Sequence, residues 1–321
     1  MSADSFASLI GQDKAKTVLE RIFGSGRMAH AYLFHGPDGV GKKRAAFLTA
    51  ARLNCRRPVG SGACGTCPSC RKWQSGNHPD IVVVSPENGT IKIDRIRELC
   101  RSLSYPPYES EMQVVIIEDV HTMTQAAANS LLKTLEEPPE KNLLILTAES
   151  SRELLPTILS RCQVVSFYGL PVQRCAQVIE QNLPDIDADE ARLLADLAGG
   201  SPGTALILKK KELVPTYYSV VKLLETEMAD ESDSVSAVLE TAAHLASLKD
   251  DLPLVLGLLR IWARDLLLEN DGVVNRKQQK LRLSVLDQAQ RQLSRNCNRT
   301  LVCEVLLFNL QSPMPAVSQR V

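Results

Sequence analysis

The sequence lacks a net charge. Its 37 lysines and arginines match 37 aspartates and glutamates, for a formal net charge of zero at pH 7. No overall field therefore draws the molecule to nucleic acid or an anionic membrane, and any nucleic-acid contact is left to local patches. It also lacks an apolar run approaching the roughly 18 residues of a membrane span, and the opening Met1-Ser-Ala-Asp-Ser-Phe has neither the basic nor the apolar region of a secretory leader. These absences point to the cytosol, which in turn argues against reading the nine cysteines as a disulfide framework.

What is present suffices for several cores. With 321 residues, 44% of them hydrophobic, the chain divides at roughly 150 residues per domain into two or three. From Ala31 to about Ser166 short β-rich runs alternate with helical patterns: Ala31-Tyr-Leu-Phe-His, Ile81-Val-Val-Val, Val114-Val-Ile-Ile, Leu143-Leu-Ile-Leu-Thr and Val164-Val-Ser. Such alternation predicts an α/β domain, a parallel sheet covered by helices. Within it Asp94 is expected to cap a helix over 95–104, and Thr124 or its neighbour to start one that stops before Pro138-Pro139. After Gly169-Leu-Pro171 the patterns are helical, at 172–182, 188–198 and after Ser201-Pro202. A third region carries amphipathic stretches at 217–228, 234–246, 252–268, 277–293 and 299–310 and is expected to be an all-helical bundle. The expected domains are 1–168, 169–208 and 209–321, with Lys209-Lys210-Lys211 as a solvated linker.

Gly36-Pro-Asp-Gly-Val-Gly41-Lys42-Lys43 follows an expected strand and opens an expected helix. In that context backbone amides cradle phosphate and a lysine neutralises it, which makes Gly36, Gly39, Gly41 and Lys42 the candidate nucleotide-binding residues; a plain glycine turn is the competing reading. Lys43 is anomalous. A serine or threonine there gives its hydroxyl to magnesium, whereas an ammonium has no lone pair to give. The strand at Val114 ends in Glu118-Asp119, the reverse of the usual aspartate-then-glutamate order. The exchange moves each carboxylate by about a methylene, and misplacement near 1 Å can lower a rate roughly 100-fold. Thr147 closes the next strand, either facing the phosphates or as an ordinary strand residue.

Cys55, Cys64, Cys67 and Cys70 are spaced for convergence, with Gly60, Gly62, Gly65 and Pro68 supplying turns. Four thiolates satisfy tetrahedral zinc with no open position for catalysis. An iron–sulfur cluster and a reduced, unligated set are the alternatives. Cys100, Cys162, Cys175, Cys297 and Cys303 show no ligand spacing, and the five histidines suggest no dyad.

Ser160-Arg161-Cys162, after Leu131-Leu-Lys-Thr-Leu-Glu-Glu-Pro138-Pro139, resembles the clamp-loader branch of the AAA+ ATPases, and the likeness runs from Ile10-Gly11-Gln12 through the cysteine insertion to Gly200-Ser201-Pro202. The resemblance implies a P-loop AAA+ domain, a helical lid and a C-terminal helical collar that oligomerises. It also implies that Arg161 is an arginine finger offered to ATP on a neighbouring subunit, where a planar permanent cation stabilises charge developing in phosphoryl transfer. Active subunits of that branch carry a further arginine just after the Gly-Ser pair of the lid, where this chain has Gly203. Lys43, the reversed carboxylates and Gly203 together predict a subunit that does not hydrolyse ATP in its own site. By the resemblance its partners are gamma or tau ATPase subunits, a delta subunit and, through the complex, the sliding clamp and primed DNA. An ATP-hydrolysing motor of gamma type and a zinc-dependent DNA-binding adaptor are the alternatives.

Overall fold

The computed structural model describes residues 5–25, 28–150, 154–225, 231–269, 273–295 and 297–311. It groups into two compact units, Met1–Val178 and Ile179–Val321. In the first, chain order runs α1 (Asp13–Ser25), β1 (Ala31–His35), α2 (Lys42–Leu53), α3 (Pro68–Gln74), β2 (Ile81–Val84), α4 (Ile93–Ser102), β3 (Gln113–Ile117), α5 (Gln125–Glu136), β4 (Asn142–Ala148), α6 (Pro156–Leu159) and β5 (Gln163–Ser166), and the division falls inside α7 (Val172–Asn182).

The five strands form one sheet in the order β2-β3-β4-β1-β5, every pair parallel. Period-two alternation sends successive residues to opposite faces. Tyr32, Phe34, Val114, Ile116, Leu143 and Ile145 pack into one apolar layer, and Ala31, Leu33, Val115, Ile117, Leu144 and Leu146 into the other. Both faces are therefore covered, and β3 and β4 are buried throughout, which is why they read as unbroken apolar runs. In register Phe34 lies beside Thr147 and Ile117 beside Leu146, so β1, β3 and β4 end together and deliver Gly36, Glu118 and Thr147 to the carboxyl edge of the sheet, where open α/β sheets bind ligands.

Two expectations need correction. The N-cap of α4 is Lys92, in extended conformation, and Asp94 sits inside the first turn, where a carboxylate favours the helix dipole without capping. Lys209-Lys210-Lys211 is no linker. Lys209 and Lys210 finish a helix and Lys211 is its C-cap, with Lys209 paired to Glu190 at 2.5 Å and Lys211 paired to Asp251. Cations there suit the negative end of the dipole.

The second unit contains α8 (Ala188–Leu197), α9 (Pro202–Lys210), α10 (Leu213–Glu225), α11 (Glu231–Ser247), α12 (Leu252–Glu269), α13 (Val273–Ser294) and α14 (Arg299–Gln311). The expected 217–228 stretch falls in α10, its last three residues lying outside the described ones. Val238, Ala242 and Leu245 of α11 and Val302, Leu306 and Leu310 of α14 are buried where these helices pack together. Among the described residues no helix is long and apolar enough to cross a membrane.

Candidate functional site

Gly36 leaves β1 with φ 149°, and a Cβ there would lie 2.2 Å from the Phe167 carbonyl oxygen. Gly41 caps α2 in the left-handed region at φ 104°, a conformation that glycine adopts without the Cβ penalty. The loop between them borders a cleft of about 290 Å³ that also reaches Glu118, Asp119 and Thr147. All four phosphate-loop residues expected from the sequence thus lie in or beside one concavity.

The cations of this cleft are engaged internally. Lys42, only 6% exposed, donates to the carbonyls of Gly36 (2.5 Å) and Pro37 (2.8 Å) and to the Asp38 carboxylate (2.9 Å). Lys43 reaches the two Glu118 oxygens at 2.8 and 2.9 Å. Ser85 also donates to Glu118 at 2.9 Å. The anomalous lysine therefore occupies, with its ammonium, the carboxylate side of the cleft. Asp119 takes a left-handed backbone (φ 49°, ψ 53°) and its N–H donates to Thr147 Oγ1 at 3.0 Å, so Thr147 both lines the cleft and ties the ends of β3 and β4. Burial raises the pKa of Asp119, and the neighbouring Asp38 adds to the rise, against the pull of His121 and Lys42.

Gln12 was visible in the sequence only as part of a resemblance. Its carboxamide donates to Val40 O (3.2 Å) and Tyr168 O (2.6 Å) and accepts from the Tyr168 N–H (3.1 Å), joining the phosphate loop, the segment before α1 and the chain after β5. A glutamine directly after Gly11 was the available signal; both residues take positive φ in the fold.

Arg161 follows the short α6 and does not line this chain's cleft. Its Nη1 donates to Thr157 O (3.0 Å) and Ser160 Oγ (3.1 Å), and its Nη2 meets Glu136 Oε1 at 2.6 Å. Both side chains remain solvent-accessible, 32% for Arg161 and 50% for Glu136. Three of five guanidinium donors are used, leaving two for another acceptor. Gly203 is the second residue of α9, after the N-cap Ser201.

The four cysteine sulfurs of Cys55, Cys64, Cys67 and Cys70 lie within 4.8 Å of one another, Cys64 and Cys70 at 3.9 Å. Tetrahedral zinc with bonds near 2.3 Å requires sulfurs about 3.8 Å apart, so the set fits. Backbone N–H groups of Cys64, Cys67 and Cys70 point at Cys55, Cys64 and Cys67 sulfur respectively, at 3.2, 3.4 and 3.5 Å. The amides of Thr66 and Cys67, led by Thr66, lower the Cys64 thiol to about 6, which favours the thiolate that a metal requires. These four residues could hold a metal ion.

Two serine–histidine contacts were not foreseen. Ser69 donates to Asn54 O (2.6 Å), while His78 Nδ1 accepts the Asp80 N–H (3.2 Å), so His78 Nε2 carries the proton toward Ser69 (2.9 Å). That leaves the serine as a donor to a backbone carbonyl, not a nucleophile awaiting a base. His35 and Ser166 meet at 2.9 Å across β1 and β5; burial and then Lys42 lower the His35 pKa.

The protein family described as DNA polymerase III, delta subunit, matches residues 11–171. DNA polymerase III subunit delta' of Pseudomonas aeruginosa is 37% identical over 218 residues, 65% of this chain and 66% of that protein. The Bacillus subtilis subunit delta' is 36% identical over 215 residues, 67% and 64%. DNA polymerase III subunit tau of Escherichia coli is 35% identical over 201 residues, 62% and 31%. The chain thus spans less than two thirds of the length of these relatives. A Thermotoga maritima crystal structure described as gamma-subunit-related aligns with a TM-score of 0.49 and 23% identity, over 93% of this chain and 98% of that one, a likeness too loose to bear on function.

Proposed function

Because the chain belongs to the family described as DNA polymerase III, delta subunit, we propose that it acts as a noncatalytic delta-prime subunit of the DNA polymerase III clamp loader. It works in the cytoplasm with gamma or tau ATPase subunits and a delta subunit, and it helps place a sliding clamp on primed DNA. The helical region 209–321 joins it to the other subunits. Arg161 is the residue it contributes to catalysis, through the ATP site of a neighbour. Polymerase chemistry belongs to other subunits of the holoenzyme.

The observation that carries this reading is the internally neutralised cleft. Lys42 is taken up by two loop carbonyls and Asp38, and Lys43 by Glu118. The nearby formal charges, two positive against Asp38, Glu118 and Asp119, sum to minus one, which repels a triphosphate. Lys43 cannot ligate magnesium to reverse that sign. Arg161, by contrast, is permanently charged, accessible, and held by three hydrogen bonds with two donors to spare. At Cys55, Cys64, Cys67 and Cys70 a structural zinc would supply a fourfold cross-link that closes the loop and leaves no open coordination position.

The test is reconstitution with the ATPase and delta subunits. Arg161→Ala should leave assembly intact but lower ATP turnover of the complex by about 1000-fold per site served, the lower end for arginine fingers, and abolish clamp loading. Unchanged turnover in a fully assembled complex would overturn the assignment. The likeness to tau subunits favours a second reading, in which this chain hydrolyses ATP itself; robust turnover by the isolated chain, lost in Lys42→Ala, would establish it.

A further inference from the structure

Charge is unevenly distributed in this electrically neutral chain. Between Asp38 and Asp80 there is no acidic residue, whereas Lys42, Lys43, Arg44, Arg52, Arg56, Arg57, Arg71 and Lys72 all fall there. The three lysines are spoken for, by Asp38, Glu118 and Glu109. Among the described residues none of the five arginines has a carboxylate partner. Such an imbalance is costly to maintain by self-repulsion and is the footprint of an anion-binding surface.

We propose that Arg52, Arg56 and Arg57, carried by the end of α2 and the start of the cysteine loop, bind the phosphodiester backbone of DNA. Arg52 and Arg56 line one cleft of about 420 Å³, and Arg52 Nε donates to Gly60 O at 3.1 Å, which draws its guanidinium to the loop that bears Arg57. Arg56 and Arg57 are exposed. Arg56 and Arg57 directly follow Cys55, so a metal held by the four cysteines would anchor the stretch of chain from which both side chains project. Asn54 lines the same cleft at 5% exposure, and neither its carboxamide nitrogen nor its oxygen has a partner in the described structure. A buried amide left unpaired is unfavourable and calls for a ligand atom or water. Glu111 and Glu109 line the cleft as well, the latter neutralised by Lys72. Guanidinium forks grip phosphate oxygens in pairs, and three of them within residues 52–57 suit a polyanion better than an isolated phosphate. The choice of DNA as that polyanion rests on the proposed function; the site itself does not.

The experiment uses the full, zinc-loaded chain without ATPase partners or nucleotide, so a failed arginine-finger assignment leaves its outcome intact. Fluorescence anisotropy with a labelled 30-nucleotide strand is followed from 50 to 200 mM salt. Three phosphate contacts at a slope of about −0.7 to −0.9 each predict that affinity falls about 20- to 40-fold over this range. The double variant Arg56→Ala, Arg57→Ala should bind more weakly and lose only about threefold over the same range, while Arg56→Lys with Arg57→Lys should recover most of the salt dependence. Removing the metal with a chelator should weaken binding by wild type, since it frees the backbone of both arginines. The proposal is overturned if no binding is detected at 50 mM salt, if the double alanine variant keeps wild-type affinity and slope, or if polyglutamate or phosphatidylglycerol vesicles displace the strand as well as unlabelled DNA does at equal charge.

Discussion

Replacing Lys43 by methionine keeps an aliphatic stem near Phe47, over whose ring the ammonium lies at 5.6 Å, but removes the cation from both Glu118 oxygens. At the observed 2.8 Å the Coulomb energy is about 1.5 kcal/mol in bulk water and about 6 kcal/mol at an effective dielectric of 20. Glu118 is 8% exposed but Lys43 is 59% exposed, so solvent screening and the ordering of the lysine offset most of the larger figure. The expected coupling is about 1–2 kcal/mol, above an ordinary surface pair and below a buried one. Ser85 still donates to Glu118 in the variant, which keeps the penalty from rising further. A double-mutant cycle with Glu118→Gln isolates the pairwise term. The chain has two tryptophans; in a Trp262→Phe background Trp73, edge-to-face with Phe47 at 5.3 Å between ring centroids, reports urea unfolding of the first unit alone. Coupling should shrink in 1 M salt. A value under about 0.3 kcal/mol at low salt would refute the reasoning, because Lys43 would then be a loose cation free to meet phosphate.

Asp80 is 2% exposed and accepts the N–H groups of Tyr108, Glu109 and Ser110 at 2.5, 3.0 and 2.9 Å. Burial raises its pKa, but these donors outweigh it and the net shift is downward. Its contribution to stability is therefore complete above the unfolded value near 3.9 and is lost as pH falls through the lower folded value. Asp80→Asn should lose about 2–4 kcal/mol at pH 7, and the difference from wild type should narrow in urea titrations below about pH 4. For the cysteine cluster, metal analysis should find about one zinc per chain in colourless protein, and its removal should lower the urea midpoint of the first unit; a brown, iron-containing protein would instead assign an iron–sulfur centre.

The sheet was legible because its strands are covered on both faces. Ala31–His35 and Ile81–Val84 match the sequence reading, while β3 extends it by Gln113 and β4 by Asn142 and Ala148. Thr124 was readable as a cap, and its hydroxyl accepts the Ala127 N–H. Asp94 was misread because an aspartate in a first turn and one at an N-cap produce the same local pattern. The cysteine spacing was legible since ligand geometry constrains short intervals. The partners of key side chains were not. Lys43 finds Glu118 75 residues away, Arg161 finds Glu136 25 away, and Gln12 reaches Tyr168 across 156. Such pairings depend on strand order, and composition or periodicity carries no record of it.

The pairing of β1 with β5 has a consequence for assembly. The strands are parallel, with Tyr32 beside Gln163 and His35 beside Ser166. The phosphate loop leaves β1 at its carboxyl end, while Arg161 enters β5 from its amino end, a strand length of roughly 13 Å apart for four residues. Cleft and guanidinium thus sit at opposite edges of one sheet. Any contact that used both would run head to tail, with unlike surfaces meeting at every joint, and a twofold pair of identical copies would leave the polarity of each subunit unused.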